Sequence, residues 1–286
     1  MRLPPLRALL GGLLGAPFLV LASACGTILP GDAAWNDLHA NAYAAVYRPS
    51  LSADVNDIVV NDTSAADLDF QGDLDVASGS RSVALFGARV GFAPLELSVA
   101  HFGFSGENDA VADGLVTFRG IPVSGSIAST LATDLSVDKL MLGWDALNNP
   151  VFRLGLLLGV DLVQIDRLDV IARESAAGGA IQPGDVQTIL SDETAPAPIF
   201  GFRADVRLPH DFRLGGELTG VSANVDEADF SYTDLDVALH WMAWDPIEIV
   251  IGWRALSLDL DGTVSDTVID ISMDLSGPYA GLSFYW

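Results

Sequence analysis

Histidine, serine and carboxylate side chains are the groups of this 286-residue chain that could do chemistry, and His101 is the histidine best placed for it. Ser105, Glu107 and Asp109 follow it closely in the sequence. A histidine beside a serine or a carboxylate can act as a general base in hydrolysis. On an extended strand, however, residues four apart share a face without touching, so the spacing gives only weak support for a hydrolase.

The sequence offers little for a metal or a phosphate. A zinc site needs clustered cysteine and histidine, and this chain has one cysteine and four scattered histidines. The glycines of Gly106-Glu107-Asn108 and Gly178-Gly179 are not followed by a helix, as a phosphate-binding loop requires. We therefore expect no cofactor, no metal and no enzymatic activity.

The composition excludes several classes of protein. The chain has 38 acidic and 14 basic residues, for a net charge of −24, yet only 18% of its residues are charged and 50% are hydrophobic. Nucleic acid is excluded as a partner because no basic patch could neutralise phosphates. Disorder is excluded by the apolar content, and a disulfide framework by the single cysteine.

The first 24 residues resemble a secretory signal peptide. Arg2 and Arg7 give a positive start, an apolar stretch follows, and Ala22-Ser23-Ala24 is a small-residue cleavage pattern. We expect residues 1–24 to be removed, residues 25–42 to form a periplasmic segment and residues 43–286 to form one domain.

Cys25 follows the cleavage pattern directly and resembles the acylated cysteine of bacterial lipoproteins. The match is incomplete because Ala22 stands where that motif usually has leucine, which here is Leu21. Lipidation at Cys25 and ordinary cleavage before it are equally supported alternatives.

The rest of the chain alternates between apolar and polar residues with a period of two, which is typical of strands with two different faces. In residues 151–164, Leu154, Leu156 and Leu158 alternate with Arg153 and Gly155. The pattern predicts ten long strands at about 43–57, 81–92, 94–104, 131–147, 151–165, 199–208, 212–223, 231–244, 247–259 and 268–286. These exceed the ~5–6 residues of an average soluble strand and match the ~9–11 residues of a tilted transmembrane strand.

Short and long connections alternate along the chain. Short turns are predicted near 93–94, 148–150, 209–211 and 245–246, and long loops near 61–80, 105–130, 166–197, 224–230 and 260–267. This sorting is typical of a closed antiparallel transmembrane β-barrel with both termini at the short-turn rim. Eight strands, or twelve if residues 114–127 add a pair, are the alternatives, and Pro49 makes the first strand the least certain.

The C-terminal sequence resembles the last strand of bacterial outer-membrane β-barrels, in which alternating apolar residues end in an aromatic residue. Leu282, Phe284 and Trp286 carry this resemblance. It implies an integral outer-membrane protein whose last strand is recognised by the barrel assembly machinery. Apolar residues change parity near Gly277-Pro278, which predicts a β-bulge. Tryptophans at short-turn ends predict a periplasmic aromatic girdle, namely Trp144, Trp241, Trp244 and Trp286.

The alternation also divides the charges between the faces. The face assigned to the lumen carries His240 and sixteen charged residues: Arg89, Lys139, Asp145, Arg153, Asp161, Arg203, Asp205, Arg207, Arg213, Glu217, Asp234, Asp236, Glu248, Arg254, Asp270 and Asp274. Because nearly all the bases are arginines, which pair well with carboxylates, a lumen filled by ion pairs is favoured over a narrow hydrophilic pore.

The predicted long loops hold 19 acidic and three basic residues. Beside anionic lipopolysaccharide, such a rim suggests weak Ca²⁺ or Mg²⁺ binding, although a plain solvated acidic surface explains it as well. The leading interpretation is a monomeric outer-membrane barrel that is structural or a narrow channel for small solutes. The alternatives are a surface-interaction barrel acting through its acidic loops and, with less support, a barrel hydrolase using His101, since outer-membrane proteases of ten strands resemble this strand count.

Overall fold

The computed structural model describes residues 38–60, 69–76, 79–92, 94–113, 115–118, 121–225, 227–264 and 267–286. The predicted signal peptide and Cys25 lie outside these residues. Among the described residues, no helix has the length and apolar character needed to cross a membrane.

The described chain is almost entirely β-strand, interrupted by one 3₁₀ turn at Ala177–Gly179. The strands are β1 (His39–Tyr47), β2 (Ser50–Val60), β3 (Asp69–Val76), β4 (Gly79–Ser80), β5 (Val83–Phe92), β6 (Leu95–Asp113), β7 (Leu115–Phe118), β8 (Ile121–Ser124), β9 (Ile127–Asn148), β10 (Phe152–Ala172), β11 (Val186–Leu208), β12 (Phe212–Val225), β13 (Glu227–Trp244), β14 (Ile247–Val264) and β15 (Thr267–Tyr285).

Ten of these strands close into an antiparallel ring in the order β1, β5, β6, β9, β10, β11, β12, β13, β14 and β15, with β15 pairing back to β1. The prediction of a closed barrel of about ten strands is therefore confirmed. Closure satisfies the hydrogen-bonding groups of both would-be edge strands, which a sheet in hydrocarbon requires.

Further from the termini, β2 and β3 take the places of β1 and β5. β2 pairs with β15 and β3 pairs with β6, so the ring continues as a tube beyond the end of β1. Pro49, which has no N–H to donate, lies at the break between β1 and β2. The predicted strand 43–57 is thus two strands, 39–47 and 50–60, and the predicted strand 81–92 continues a segment that begins at residue 69.

Two other predictions about the strands are wrong, namely the long loops and the bulge. The long loops expected at 105–130, 166–197, 224–230 and 260–267 are largely strand, because the strands on either side extend past their predicted ends: β6, β9, β10, β11, β12, β13 and β14. The strand pair that was the alternative within 114–127 forms as the β7–β8 hairpin, but it lies outside the ring, so the ring keeps ten strands rather than twelve. No bulge occurs near Gly277-Pro278, since the β14–β15 register is unbroken.

Candidate functional site: the filled interior and the outer wall

Arg203 is the centre of the polar side chains that fill the interior near the short-turn rim. Its guanidinium is 2% exposed, lies 2.7 Å from Asp145 Oδ1 and also pairs with Glu96. Arg153 lies beside it, 3.1 Å from Glu96 Oε2 and 3.3 Å from Asp205 Oδ2. These five residues come from the four neighbouring strands β6, β9, β10 and β11, so their ion pairs connect adjacent strands on one side of the lumen.

Two glycines create the space for this arginine. A Cβ atom on Gly143 would lie 2.8 Å from the guanidinium carbon of Arg203, and one on Gly155 would lie 2.8 Å from its Nε. Interior positions that look empty in the sequence are therefore occupied by a neighbouring side chain.

A second group of polar residues lies next to the first and shares Asp205 with it. Arg213 lies 3.3 Å from Asp205 Oδ1 and 3.3 Å from Glu248 Oε2, and it donates a 2.6 Å hydrogen bond to the hydroxyl oxygen of Tyr285. His240 Nδ1 is 2.8 Å from Glu248 Oε2. The interior from Glu96 to Tyr285 is one connected network.

A third group lies further from the termini, around Asp234. Lys139 Nζ is 2.5 Å and Arg254 Nη2 is 2.7 Å from the same Asp234 oxygen. Lys139 also lies 3.4 Å from Asp161, which accepts a 2.6 Å hydrogen bond from Tyr232. All five side chains are buried, and buried charges of this kind are tolerated only when they are paired.

The space between these groups is small. Arg89 lies 2.8 Å from Glu217, and Tyr279 donates a 2.7 Å hydrogen bond to Asp236. The cavities beside these pairs measure about 50 Å³ and 20 Å³. A water needs roughly 10–15 Å³ by this kind of measure, so the cavities hold a few waters and no larger solute.

Beyond Lys139 and Arg254 the interior becomes mainly apolar, with a few buried polar residues among the apolar ones: Asn108, Ser129, Thr133, Asp169 and Gln187. On β9 the inward residues change from Asp145 and Lys139 to Val137, Leu135 and Leu131, all buried. The same apolar layer includes fully buried aromatic and aliphatic residues from several other strands: Tyr47, Leu51, Phe102, Phe104, Leu168, Ile199, Leu256 and Leu275.

The outward face changes polarity at the same level but in the opposite sense. On β9, Trp144, Leu142 and Leu140 are exposed, and the next outward residues are Asp138, Ser136 and Asp134. The short-turn half is thus apolar outside and polar inside, as a wall in lipid requires, whereas the other half is polar outside and apolar inside. The short-turn half of the barrel therefore crosses the membrane, and the other half, called the projecting half below, extends beyond it.

The level at which the two faces exchange polarity, called the polarity border below, explains why the lumen assignments of Asp270 and Asp274 are wrong. Asp270 and Asp274 were expected to line the lumen, but on β15 the inward residues are Ile271, Met273 and Leu275. Asp274 is exposed on the outer wall, and Asp270 shares its outward parity. In the projecting half, alternation with polar residues marks the water-facing side rather than the lumen.

The other assigned charges point into the barrel: Arg89, Lys139, Asp145, Arg153, Asp161, Arg203, Asp205, Arg207, Arg213, Glu217, Asp234, Asp236, Glu248 and Arg254. Glu96 was missed, although the outward parity of Leu95 and Leu97 places it inside. The interior tyrosines were missed as well, because tyrosine fits either face of a membrane strand. Leu282, Phe284 and Trp286 are about half exposed on the outer wall, as are the four girdle tryptophans.

His101 lies on the outer wall rather than in the lumen. Its Nδ1 is 2.6 Å from Asp138 Oδ1, and its ring packs on that of Phe86 at a centroid distance of 4.8 Å. Among the described residues, no group of three or more histidine, cysteine, aspartate or glutamate side chains could hold a metal ion.

No protein-family model and no curated protein matches the sequence. The structure is similar to that of the outer membrane protease OmpT from Escherichia coli, with a TM-score of 0.53, 14% identity, and coverage of 86% of this chain and 97% of that one. The chain has the fold of a bacterial outer-membrane β-barrel. With its apolar belt, the fold places the protein in the bacterial outer membrane.

More distant similarities are to OprG from Pseudomonas aeruginosa and to AlkL. OprG has a TM-score of 0.32 and 12% identity, with 88% of this chain and 96% of that one covered. AlkL has a TM-score of 0.32 and 14% identity, with 92% and 96% covered.

Proposed function

We propose that this outer-membrane barrel is a closed surface structure that presents an acidic wall outside the membrane and conducts no solute. The observation that carries the proposal is the filled interior, which is sealed by two layers of different chemistry. Of the functions that the sequence suggests, the structural and interaction roles fit this interior, and the narrow channel does not.

The first layer is the ion-pair network. Arg153, Arg203 and Glu96 are each less than 5% exposed, so their side chains are closely packed and leave little room for a hydrated ion between them. Removing one partner would leave a buried charge unpaired, at a cost of roughly 3–5 kcal/mol.

The second layer is the apolar interior of the projecting half. Phe102, Phe104 and Leu131 are each at most 1% exposed and lie in the path of any solute that entered from outside. A hydrated ion crossing this layer would lose most of its water shell and would meet only a few polar groups, among them Thr133 and Asn108. The apolar layer therefore opposes conduction independently of the ion pairs.

The outer wall supports an interaction role. Exposed carboxylates stand on the outside of the projecting half on several strands: Glu107, Asp109, Asp138, Asp166, Asp229, Asp259, Asp261 and Asp274. Held on a rigid sheet rather than on loops, they form an acidic collar suited to cationic partners. We propose that the collar attracts Ca²⁺ or Mg²⁺ diffusely, and that these ions bridge it to neighbouring anionic lipid.

The test is conductance of the purified protein in planar lipid bilayers, with release of a small dye from liposomes as a second measurement. We expect no single-channel steps and no dye release above protein-free membranes. A control variant with Arg153 and Arg203 both replaced by glycine removes the two central arginines of the polar layer and leaves the apolar layer intact. We expect it to stay closed if it folds, while regular steps from the unmodified protein would refute the proposal.

A further inference from the structure

Two exposed arginines lie where the apolar belt ends on β1 and β5. Arg48 follows the exposed Val46 at the end of β1, and Arg81 precedes β5. Both side chains are exposed. They belong to one small patch, because Arg48 Nε donates a 3.3 Å hydrogen bond to Ser80 and the Arg81 amide donates a 3.2 Å bond to the Pro49 carbonyl.

Neither arginine forms an ion pair with a carboxylate of the described residues. The other exposed arginines do: Arg173 lies 2.5 Å from Asp109, and Arg167 lies 4.0 Å from Asp169. On a surface rich in carboxylates, Arg48 and Arg81 are therefore two adjacent positive charges that are available to an anion.

Directly below the arginines, toward the short-turn rim, the membrane face has a shallow trough. The outward residues of β1 are Ala40, Ala42 and Ala44, and the pairing sets Ala44 between Leu282 on β15 and Phe86 on β5. Ala42 lies between Phe284 on β15 and Ala88 on β5, so larger side chains border the trough on both sides at Ala44 and on the β15 side at Ala42. The alanines of β1 form its floor. Its upper end lies at Val46, one outward position before Arg48.

We propose that this trough and the two arginines bind one phosphorylated glycolipid of the outer leaflet, with an acyl chain along β1 and a phosphate on Arg48 and Arg81. Guanidinium groups are the preferred protein partners of phosphate, and a trough one side chain wide matches the width of an alkyl chain. The charges lie at the end of the apolar belt, where the headgroup of a lipid seated in the trough would lie.

The arrangement favours a lipid over a free phosphate ion. The acidic collar repels a free anion, and two exposed arginines offer it little burial. A lipid adds apolar contact along the trough to the ionic contact at its end. This proposal does not depend on the lumen being closed, so conductance and lipid binding can fail separately.

The test counts lipid bound to the purified full-length chain in detergent by native mass spectrometry, with diphosphorylated lipid A and its dephosphorylated form as probes. We expect Arg48→Gln combined with Arg81→Gln to weaken binding of the phosphorylated lipid at least tenfold. The matched control, Arg167→Gln with Arg173→Gln, removes the same charge and should change binding less than twofold. Retained folding is checked by the heat-dependent gel mobility of the barrel.

Three results would overturn the proposal. Unchanged binding by the Arg48/Arg81 variant would show that the arginines are not the phosphate site. An equal loss in the control pair would show a general charge effect. Inorganic phosphate that competes with lipid A at equal concentration would show a free-phosphate site, whereas we expect no competition below a hundredfold excess. Ala44→Phe, which fills the trough, should weaken lipid binding as well.

Discussion

Replacing Leu156 with arginine puts a charge in the middle of the apolar belt. On β10 the outward apolar residues run from Phe152 to Leu162, and Leu156 is 45% exposed. At about 3.3 Å per residue and a tilt of about 40°, the belt is roughly 25 Å tall and Leu156 lies roughly 10 Å from its lower edge. An arginine near the bilayer midplane costs about 2–4 kcal/mol, so Leu156→Arg should destabilise the barrel by that amount.

The matched control is Gln164→Arg on the same strand and the same face. Gln164 is the first polar outward residue beyond the belt, roughly 30 Å along the same axis, where an arginine should cost about 0–1 kcal/mol. Leu157→Arg, which the sequence alone suggests as a mild change, is not a suitable control. Leu157 is 4% exposed inside the filled barrel, so an arginine there would be overpacked and unpaired.

The assay is equilibrium unfolding in urea in the presence of lipid vesicles, which gives the free energy of unfolding of each variant. We expect Leu156→Arg to lose at least about 1 kcal/mol more stability than Gln164→Arg. Equal losses, or a larger loss at Gln164, would show that the belt does not end where the polarity border lies.

Three further predictions concern the interior and the collar. Arg203→Met should lower the free energy of unfolding by roughly 3–5 kcal/mol, because Glu96 and Asp145 lose a buried partner. Adding Glu96→Gln should recover part of that loss. Fully additive effects of the two changes would contradict the network. Phe102→Ala should cost about 3–5 kcal/mol in the same assay, whereas the exposed Ser105→Ala should change stability by less than about 0.5 kcal/mol; a neutral Phe102→Ala would contradict the apolar layer. Millimolar Ca²⁺ should raise the unfolding temperature and a chelator should reverse the rise; no response to either would exclude bridging by divalent cations.

The membrane half of the barrel could be predicted from the sequence because one physical rule governs it. Every outward residue there meets lipid, so Leu154, Leu156 and Leu158 repeat without exception while the inward positions are free to be polar. Strand number and direction followed from that repeat and from the short turns.

The same reasoning gave the wrong faces in the projecting half, because there the apolar residues face inward and the polar residues face outward. Ile271 and Met273 alternate with Asp270 and Asp274 just as membrane strands do, but here water lies outside and the apolar residues meet one another inside. Alternation reports that a strand has two faces and does not report which face is outside. Which face points outward becomes clear only from the closed barrel, where the change from apolar to polar outward residues can be compared between strands.

The internal pairing could not be predicted either. Lys139 and Asp234 are 95 residues apart, and Arg203 and Glu96 are 107 apart. Their partners depend on the stagger of the closed sheet, which parity along one strand does not determine. The glycines that make room for Arg203 have no sequence signal beyond being small.

The central claim is that the barrel crosses the membrane with its short-turn half and is filled along its whole length. Single cysteines along β9, in a chain with Cys25 replaced by serine, test it through quenching of an attached fluorophore by brominated lipid and through labelling with a water-soluble maleimide. We predict lipid quenching at Leu140 and Leu142, aqueous labelling at Ser136 and Asp134, and neither at the inward Leu135 and Val137. Rapid aqueous labelling at Leu135 and Val137 in the folded barrel, or lipid quenching at Asp134, would contradict the account.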